Sequence, residues 1–276
     1  MRWIAILIAL AALFFGVRAF ALRRLEKGMI HVHGPGHRTP EARGLSFEEL
    51  PIDSGGRKLR SFYVPADGPA LLIFHGNGEA ISGWVDALKI LHDGGIAAMV
   101  FDYSGFGGSQ GEPSLDHFHE DGLAAWHVFK TRAPAGVRAC AYGLSLGTGV
   151  LLEVAAELEP PPDCLAISGA FLSAREAAIQ LHHLPRWASW VLPDALDSLE
   201  NVGRIRAPLL IEHGTEDELF PTSWAGTLAA AHPGARVELV KGMHHADPVA
   251  HPSEMSWAPV IRFVKAPEQP SALRGQ

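Results

Sequence analysis

Gly143-Leu144-Ser145-Leu146-Gly147 sets a serine between two glycines where a strand-like run gives way to a helix-like one. The preceding Val137-Arg138-Ala139-Cys140-Ala141-Tyr142 reads as a strand. Thr148 to Glu159 then carries Val150, Leu151, Val154 and Leu158 at helical spacing until Pro160-Pro161-Pro162 ends it. Glycine, any, serine, any, glycine in that context is the nucleophile-elbow pattern. The glycines permit a sharp turn with the serine in strained geometry, its hydroxyl clear of the sheet and at a helix N-terminus that favours developing negative charge. The expected chemistry is acyl transfer. The same pattern recurs at Gly107-Gly108-Ser109-Gln110-Gly111, but no strand leads into Ser109, and Glu112-Pro113 stand where a helix should be running, so that stretch reads as a loop. The run from Gly105 to Gln110 also misses a dinucleotide fingerprint at its sixth position.

Outward from the elbow, strand and helix patterns alternate. Ala70 to Phe74 is wholly apolar and reads as a strand buried on both faces; a helix is expected over Ile81 to Asp93, a strand over Ile96 to Phe101 and a helix over Ser114 to Lys130. Further strands are expected at Cys164 to Ser168, Pro208 to Glu212 and Ala235 to Lys241. Such alternation means a mostly parallel central sheet with helices on both faces, an α/β architecture whose chemistry gathers at the carboxyl ends of the strands.

The chain has 276 residues, 47% hydrophobic, enough for one enzyme-sized domain. Net charge is −7, unevenly spread: residues 1–27 hold Arg2, Arg18, Arg23, Arg24 and Lys27 against Glu26 alone, so this segment is +4 and the remainder −11. An acidic body argues against nucleic-acid binding. Cys140 and Cys164 fall in expected core strands and read as buried free thiols, uninformative about redox compartment. The histidine groups His31-Val32-His33 with His37, and His117-Phe118-His119, lack carboxylate partners at metal-site spacing, so neither a metal nor a cofactor is expected.

Trp3 to Val17 is continuously apolar, Arg18 interrupts it, Ala19 to Leu22 resumes it and Arg23-Arg24 closes it. As a helix, residues 3–22 would span about 30 Å, enough for a bilayer with Arg18 reaching the interface. The competing reading is a signal peptide cleaved at Ala19-Phe20-Ala21, disfavoured by the basic residues just beyond. The expected division is an anchor at 1–24, a linker and first edge hairpin at 25–58, the catalytic domain at 59–267 and a tail at 268–276, with the catalytic domain facing the cytoplasm.

A serine hydroxyl needs a histidine as base and usually a carboxylate to fix that histidine's tautomer. After the strand ending near His213 come Gly214-Thr215-Glu216-Asp217, and after the last strand Gly242-Met243-His244-His245: the order serine, acid, histidine suits the elbow fold. Asp217 is preferred as the acid, and spacing alone does not choose between the adjacent histidines. The oxyanion hole is expected from the backbone amides of Leu146 and, in His75-Gly76-Asn77-Gly78 directly after a strand, Asn77.

With these motifs in place, Leu59 to Val264 resembles the α/β-hydrolase superfamily, and within it the membrane-anchored, serine-aminopeptidase-like hydrolases that include depalmitoylases and lysophospholipid hydrolases. The resemblance also rests on Asp102-Tyr103-Ser104-Gly105-Phe106-Gly107-Gly108-Ser109, on Asp197-Ser198-Leu199-Glu200 with Ile205-Arg206-Ala207-Pro208, and on His213-Gly214-Thr215-Glu216-Asp217 with Pro221. It implies the α/β-hydrolase fold with a short cap insertion at 170–207, Asp217 as acid and His245 as base, although His244 stands where the family usually has a small residue. The cap stretch is apolar, and Phe171, Leu172, Trp187 and Trp190 are expected to line a pocket for an acyl chain. The expected activity is hydrolysis of carboxylic esters or thioesters of lipid-like acyl substrates near a membrane. A peptidase would need acids such as Glu176, Asp194 or Asp197 to hold a substrate amine, and a non-catalytic binding module is the reading from another class.

Overall fold

Wholly apolar runs build the centre of the sheet. The computed structural model describes residues 29–187 and 195–266, with scattered positions between 3 and 19. Ten strands are present among these: β1 Glu48–Glu49, β2 Ile52–Ser54, β3 Arg57–Leu59, β4 Ser61–Val64, β5 Ala70–Phe74, β6 Ala97–Phe101, β7 Ala139–Leu144, β8 Cys164–Ser168, β9 Leu209–Gly214 and β10 Arg236–Val240. Strands β2 and β3 form a separate hairpin, and the other eight make one sheet in the order β1-β4-β6-β5-β7-β8-β9-β10. Pairing is antiparallel between β1 and β4 and between β4 and β6, and parallel everywhere else. Every residue of β5 through β9 is buried, which is why β5 and β6 read as continuous rather than alternating apolar runs, while β9 carries the buried Glu212 and His213 near its end. The mostly parallel α/β sheet expected from the sequence is therefore the one observed.

Side chains leave each strand alternately to two cores. On one face Leu72, Phe74, Ala141 and Ile167 pack with Phe118 and Phe129 of the helix after β6; on the other Leu71, Ile73, Tyr142 and Leu144 pack with Leu88 of the helix after β5 and with Trp257 and Phe263 of the last helix. Helix α1 spans Val85–Asp93, α2 Leu115–Arg132 and α3 Leu146–Val154. Ser114 caps α2 by accepting the His117 amide, which fixes its start. The elbow helix α3 begins two residues earlier than its apolar spacing predicts, because the turn is so tight that Leu146 already has helical geometry, and it ends well before Glu159.

Between β8 and β9 lie α4 Ala174–His182 and α5 Ser198–Val202, capped by the side chains of Ser173 and Asp197. After β9 come α6 Ser223–Ala230, α7 Asp247–Ala250 and α8 Glu254–Lys265. Trp190 and the tail lie outside the described residues.

Two expectations change. Cys140 and Cys164 are not free thiols but a disulfide, their Cα atoms 4.8 Å apart at partner positions of β7 and β8. Two separate strand runs gave no sign of this, since pairing register is a property of the sheet and not of either run. Secondly, residues from Met29 onward do not form a loose linker. The Gly107 amide donates to the His33 carbonyl at 3.0 Å, Arg38 and Arg43 both bond Asp86, and a Cβ on Gly36 would fall 1.9 Å from Ser82 Oγ. Among the described residues no helix is long and apolar enough to cross a membrane; residues 5, 7, 11, 17, 18 and 20–22 of the expected span lie outside them.

Candidate active site

Strand order decides which loops meet. The chain passes from β5 to β6 on one side and then returns to place β7 on the other, so the carboxyl ends of β5 and β7 flank a topological switch point. Asn77 follows β5 and Ser145 follows β7, and both line one cavity of about 180 Å³.

Ser145 has φ 51°, in the left-handed region that non-glycine residues avoid. The surroundings hold it there. Its amide donates to the Ser168 carbonyl at 3.0 Å, a Cβ on Gly147 would fall 2.0 Å from the Phe74 carbonyl oxygen, and one on Gly143 would fall 2.6 Å from the Gly147 oxygen. Only glycines let the elbow press this closely on β5.

His245 Nε2 lies 2.8 Å from Ser145 Oγ, and Nδ1 lies 2.8 Å from Asp217 Oδ2. With Asp217 ionised, Nδ1–H donates to the carboxylate and Nε2 is left to accept the serine proton. The imidazole is buried and wedged, with Phe220 at 5.2 Å edge-on and Gly169 so close that a Cβ there would meet Cε1 at 2.9 Å. His244 points elsewhere. Its side chain is 61% exposed and faces Glu218, with Nδ1 3.4 Å from Oε2.

Asp217 Oδ1 accepts the Leu219 and Phe220 amides, both at 2.9 Å. Burial alone would push this carboxyl up, but the hydrogen bond and charge of His245 and those two amides outweigh it and hold Asp217 below the usual aspartate range.

Two side chains to which sequence reasoning gave no role, the buried His213 and the half-buried Glu79, complete the surroundings. His213 Nε2, at the end of β9, bonds the Phe220 carbonyl at 3.1 Å and sits 3.3 Å from Asp217 Oδ2, so the carboxylate has an imidazole on two sides. Glu79 Oε2 accepts the Gly76 amide and the Trp84 indole, both at 2.9 Å, which ties down the loop carrying Asn77. Burial pushes Glu79 up to about 7, offset in part by those two donors and by the nearby His245. The signal for both was an ionisable residue inside an otherwise glycine-rich or apolar motif.

The cavity beside Ser145 is walled by Leu146, Phe171, Ala174, Ala177, Leu196 and Phe220, among others. Of the residues expected to line an acyl pocket, Phe171 is in this wall. Leu172 does not line the cavity but packs against the core, and Trp187 is 80% exposed and also away from the lining: Leu172 precedes α4 and Trp187 follows it, whereas α4 itself supplies Ala174, Ala177, Leu181 and His182 to the wall. Trp190 lies outside the described residues. Of the expected amine-binding acids, Glu176 is paired with Arg186 at 3.1 Å and Asp197 caps α5, while Asp194 is outside the described residues. No group of residues able to hold a metal ion is present among the described residues.

A family model described as serine aminopeptidase S33 matches residues 67–201, taking in the Asn77 loop and the elbow and ending before Asp217 and His245. An uncharacterized protein of Mycobacterium tuberculosis is 32% identical over 200 residues, covering 70% of each chain. The lysophosphatidylserine lipase ABHD12 of Danio rerio is 33% identical over 172 residues, covering 55% of this chain and 44% of that one, so this chain spans less than half of that relative's length. Among solved structures, the esterase Pf2001 of Pyrococcus furiosus superimposes with a TM-score of 0.70 at 18% identity, over 86% of this chain and 97% of that one, a likeness of fold.

Proposed function

Since the chain belongs to the α/β-hydrolase superfamily, in its serine-aminopeptidase-like branch, and is a hydrolase, we propose that it cleaves carboxylic esters or thioesters of apolar acyl substrates through an acyl-enzyme at Ser145. The observation that carries this reading is a hydrogen-bonded run from Asp217 through His245 to Ser145 that opens into an apolar cavity.

In this mechanism Ser145 Oγ attacks the acyl carbon as His245 Nε2 takes its proton, and Asp217 holds the imidazole in the required tautomer and stabilises the charge it gains. The backbone amides of Asn77 and Leu146 receive the oxyanion; Leu146 suits this because the first residue of a helix has no intrahelical acceptor. His245 then protonates the leaving alcohol or thiol, and water repeats the sequence to free the acid. No metal or cofactor enters these steps.

Ester cleavage is preferred to aminopeptidase action because no acidic side chain lines the cavity among the described residues, whereas a substrate ammonium would need one. Lysophospholipids and acylated proteins are the substrate classes that combine an apolar acyl chain with such a bond, and the lipase among the relatives supports the first. The apolar segment 3–22 would bring the enzyme to them; Arg23, Arg24 and Lys27 favour a cytoplasmic catalytic domain, whereas the Cys140–Cys164 disulfide favours an exported one.

The test is labelling by a fluorophosphonate together with hydrolysis of p-nitrophenyl esters of two to sixteen carbons. Ser145→Ala should abolish labelling and lower hydrolysis about a thousandfold. A wild-type protein that takes no label would overturn the acyl-enzyme mechanism, and labelling without ester hydrolysis would shift the assignment to peptide substrates.

A further inference from the structure

The cavity has a wall that belongs to none of the elements of the hydrolase fold. Met29, Ile30 and His31, upstream of every strand, line it together with Phe171 and Ala174. The segment is held by its backbone: Asn77 Oδ1 accepts the His31 amide at 2.8 Å, Asn77 Nδ2 donates to the Met29 carbonyl at 2.8 Å, and the Gly78 amide donates to the His31 carbonyl at 2.9 Å. Two residues on, the Gly107 amide fixes His33. Bonds at residues 29, 31 and 33 leave Ile30 to pack between them against the core, while Val32 is exposed.

We propose that Met29–His33 is a strap that forms part of the substrate site, with Ile30 and Met29 setting the length and girth of acyl chain accepted. This rests on the reading of the cavity as an acyl site. The bonding explains why the wall is a selective one: a loose segment would yield to a longer chain, whereas one tied at alternate residues to the loops after β5 and β6 presents a fixed surface. The strap also lies near the expected anchor, since the seven steps from Leu22 to Met29 reach at most roughly 25 Å. An acyl chain leaving a bilayer held by residues 3–22 would therefore meet this wall early.

The experiment uses the full chain in detergent, carrying Ser145→Ala so that binding is read without turnover. Calorimetric titration with octanoate, dodecanoate and hexadecanoate is compared for this parent and for added Ile30→Trp, Ile30→Ala and Met29→Trp. Ile30→Trp and Met29→Trp should weaken dodecanoate binding about tenfold or more and octanoate binding less, whereas Ile30→Ala should move the preference toward hexadecanoate. Melting curves show which variants fold, and Ile30→Ala, the mildest, tests the strap if the tryptophan variants fail. Affinities within about twofold of the parent for every folded variant, or no fatty acid binding to the parent, would overturn the proposal. Fluorophosphonate labelling of the same strap variants with Ser145 intact reports separately on the hydrolase mechanism, so the two failures are distinguishable.

Discussion

His244 and His245 are adjacent and chemically identical, yet backbone direction sends one to Glu218 and the other to Ser145. His245→Ala should lower kcat/KM for p-nitrophenyl butyrate by about a thousandfold, while His244→Ala should stay within about threefold, since an exposed imidazole paired to an exposed carboxylate contributes little. Equal losses would assign the base wrongly. Serine, acid and histidine could be picked from the sequence because each sits in a short motif at a strand end. Glu79 and His213 could not, because what matters about them is the groups that the folded loops turn toward them, the Gly76 amide and Trp84 indole for one and the Phe220 carbonyl and Asp217 for the other, and no spacing pattern shows that. Glu212 is a third such residue. Both of its oxygens are buried without a well-formed hydrogen bond, and burial pushes it up to about 8, the Ser168 hydroxyl offsetting part of this. A carboxyl raised in the folded state stays protonated while the unfolded chain ionises, so its contribution falls as pH rises from about 4.5 to about 8. Glu212→Gln, a neutral mimic, should leave stability nearly unchanged at about pH 4, below the unfolded value, and raise it at about pH 8 by several kcal/mol at most, at about 1.4 kcal/mol per pH unit of displacement. Denaturant unfolding at the two pH values reads this, and an equal change at both would show that ionisation is not the cause.

At the scale of elements, the elbow is a contact between two backbones. Ser145 keeps its φ of 51° where α3 presses through Gly147 onto the end of β5 and the Ser145 amide bonds the Ser168 carbonyl. Gly147→Ala should destabilise the protein by about 3 kcal/mol or more and deplete soluble expression, since backbone cannot move aside as a side chain tip can. A variant with wild-type stability and activity would mean that the close approach is not needed. The strands were readable because fully buried parallel strands are unbroken apolar runs, and the elbow because its glycines stand at fixed spacing. Helix ends were less so: α3 stops at Val154 although apolar spacing continues to Leu158. Residues 29–43 were misread as linker for a related reason. Their glycines, prolines and histidines lack periodicity, and their order comes from Asn77, Gly107, Ser82 and Asp86, which no local pattern reveals.

At the scale of the molecule, two cores sandwich one sheet and account for most of the large side chains, while the described positions between 3 and 19 are all exposed. Apolar residues spread along a helical stretch and left outside both cores suit a lipid surface. The full chain should therefore float with phosphatidylcholine vesicles and resist carbonate extraction, whereas residues 27–276, which keep both cores, should stay in the aqueous fraction. Flotation of both would place the attachment in the catalytic domain. The Cys140–Cys164 bond adds a topological property. It closes a covalent ring across a sequence separation of 24 residues, and Ser145 lies inside that ring. Unfolding an unbroken ring releases less chain freedom, worth roughly 3 kcal/mol for a loop of this size. The protein thus has two heat stabilities, one for each redox state, and the compartment in which the chain matures selects between them. Denatured protein taken directly from cells either accepts two thiol labels or none, and that count tells whether its nucleophile matured in a reducing or an oxidising compartment.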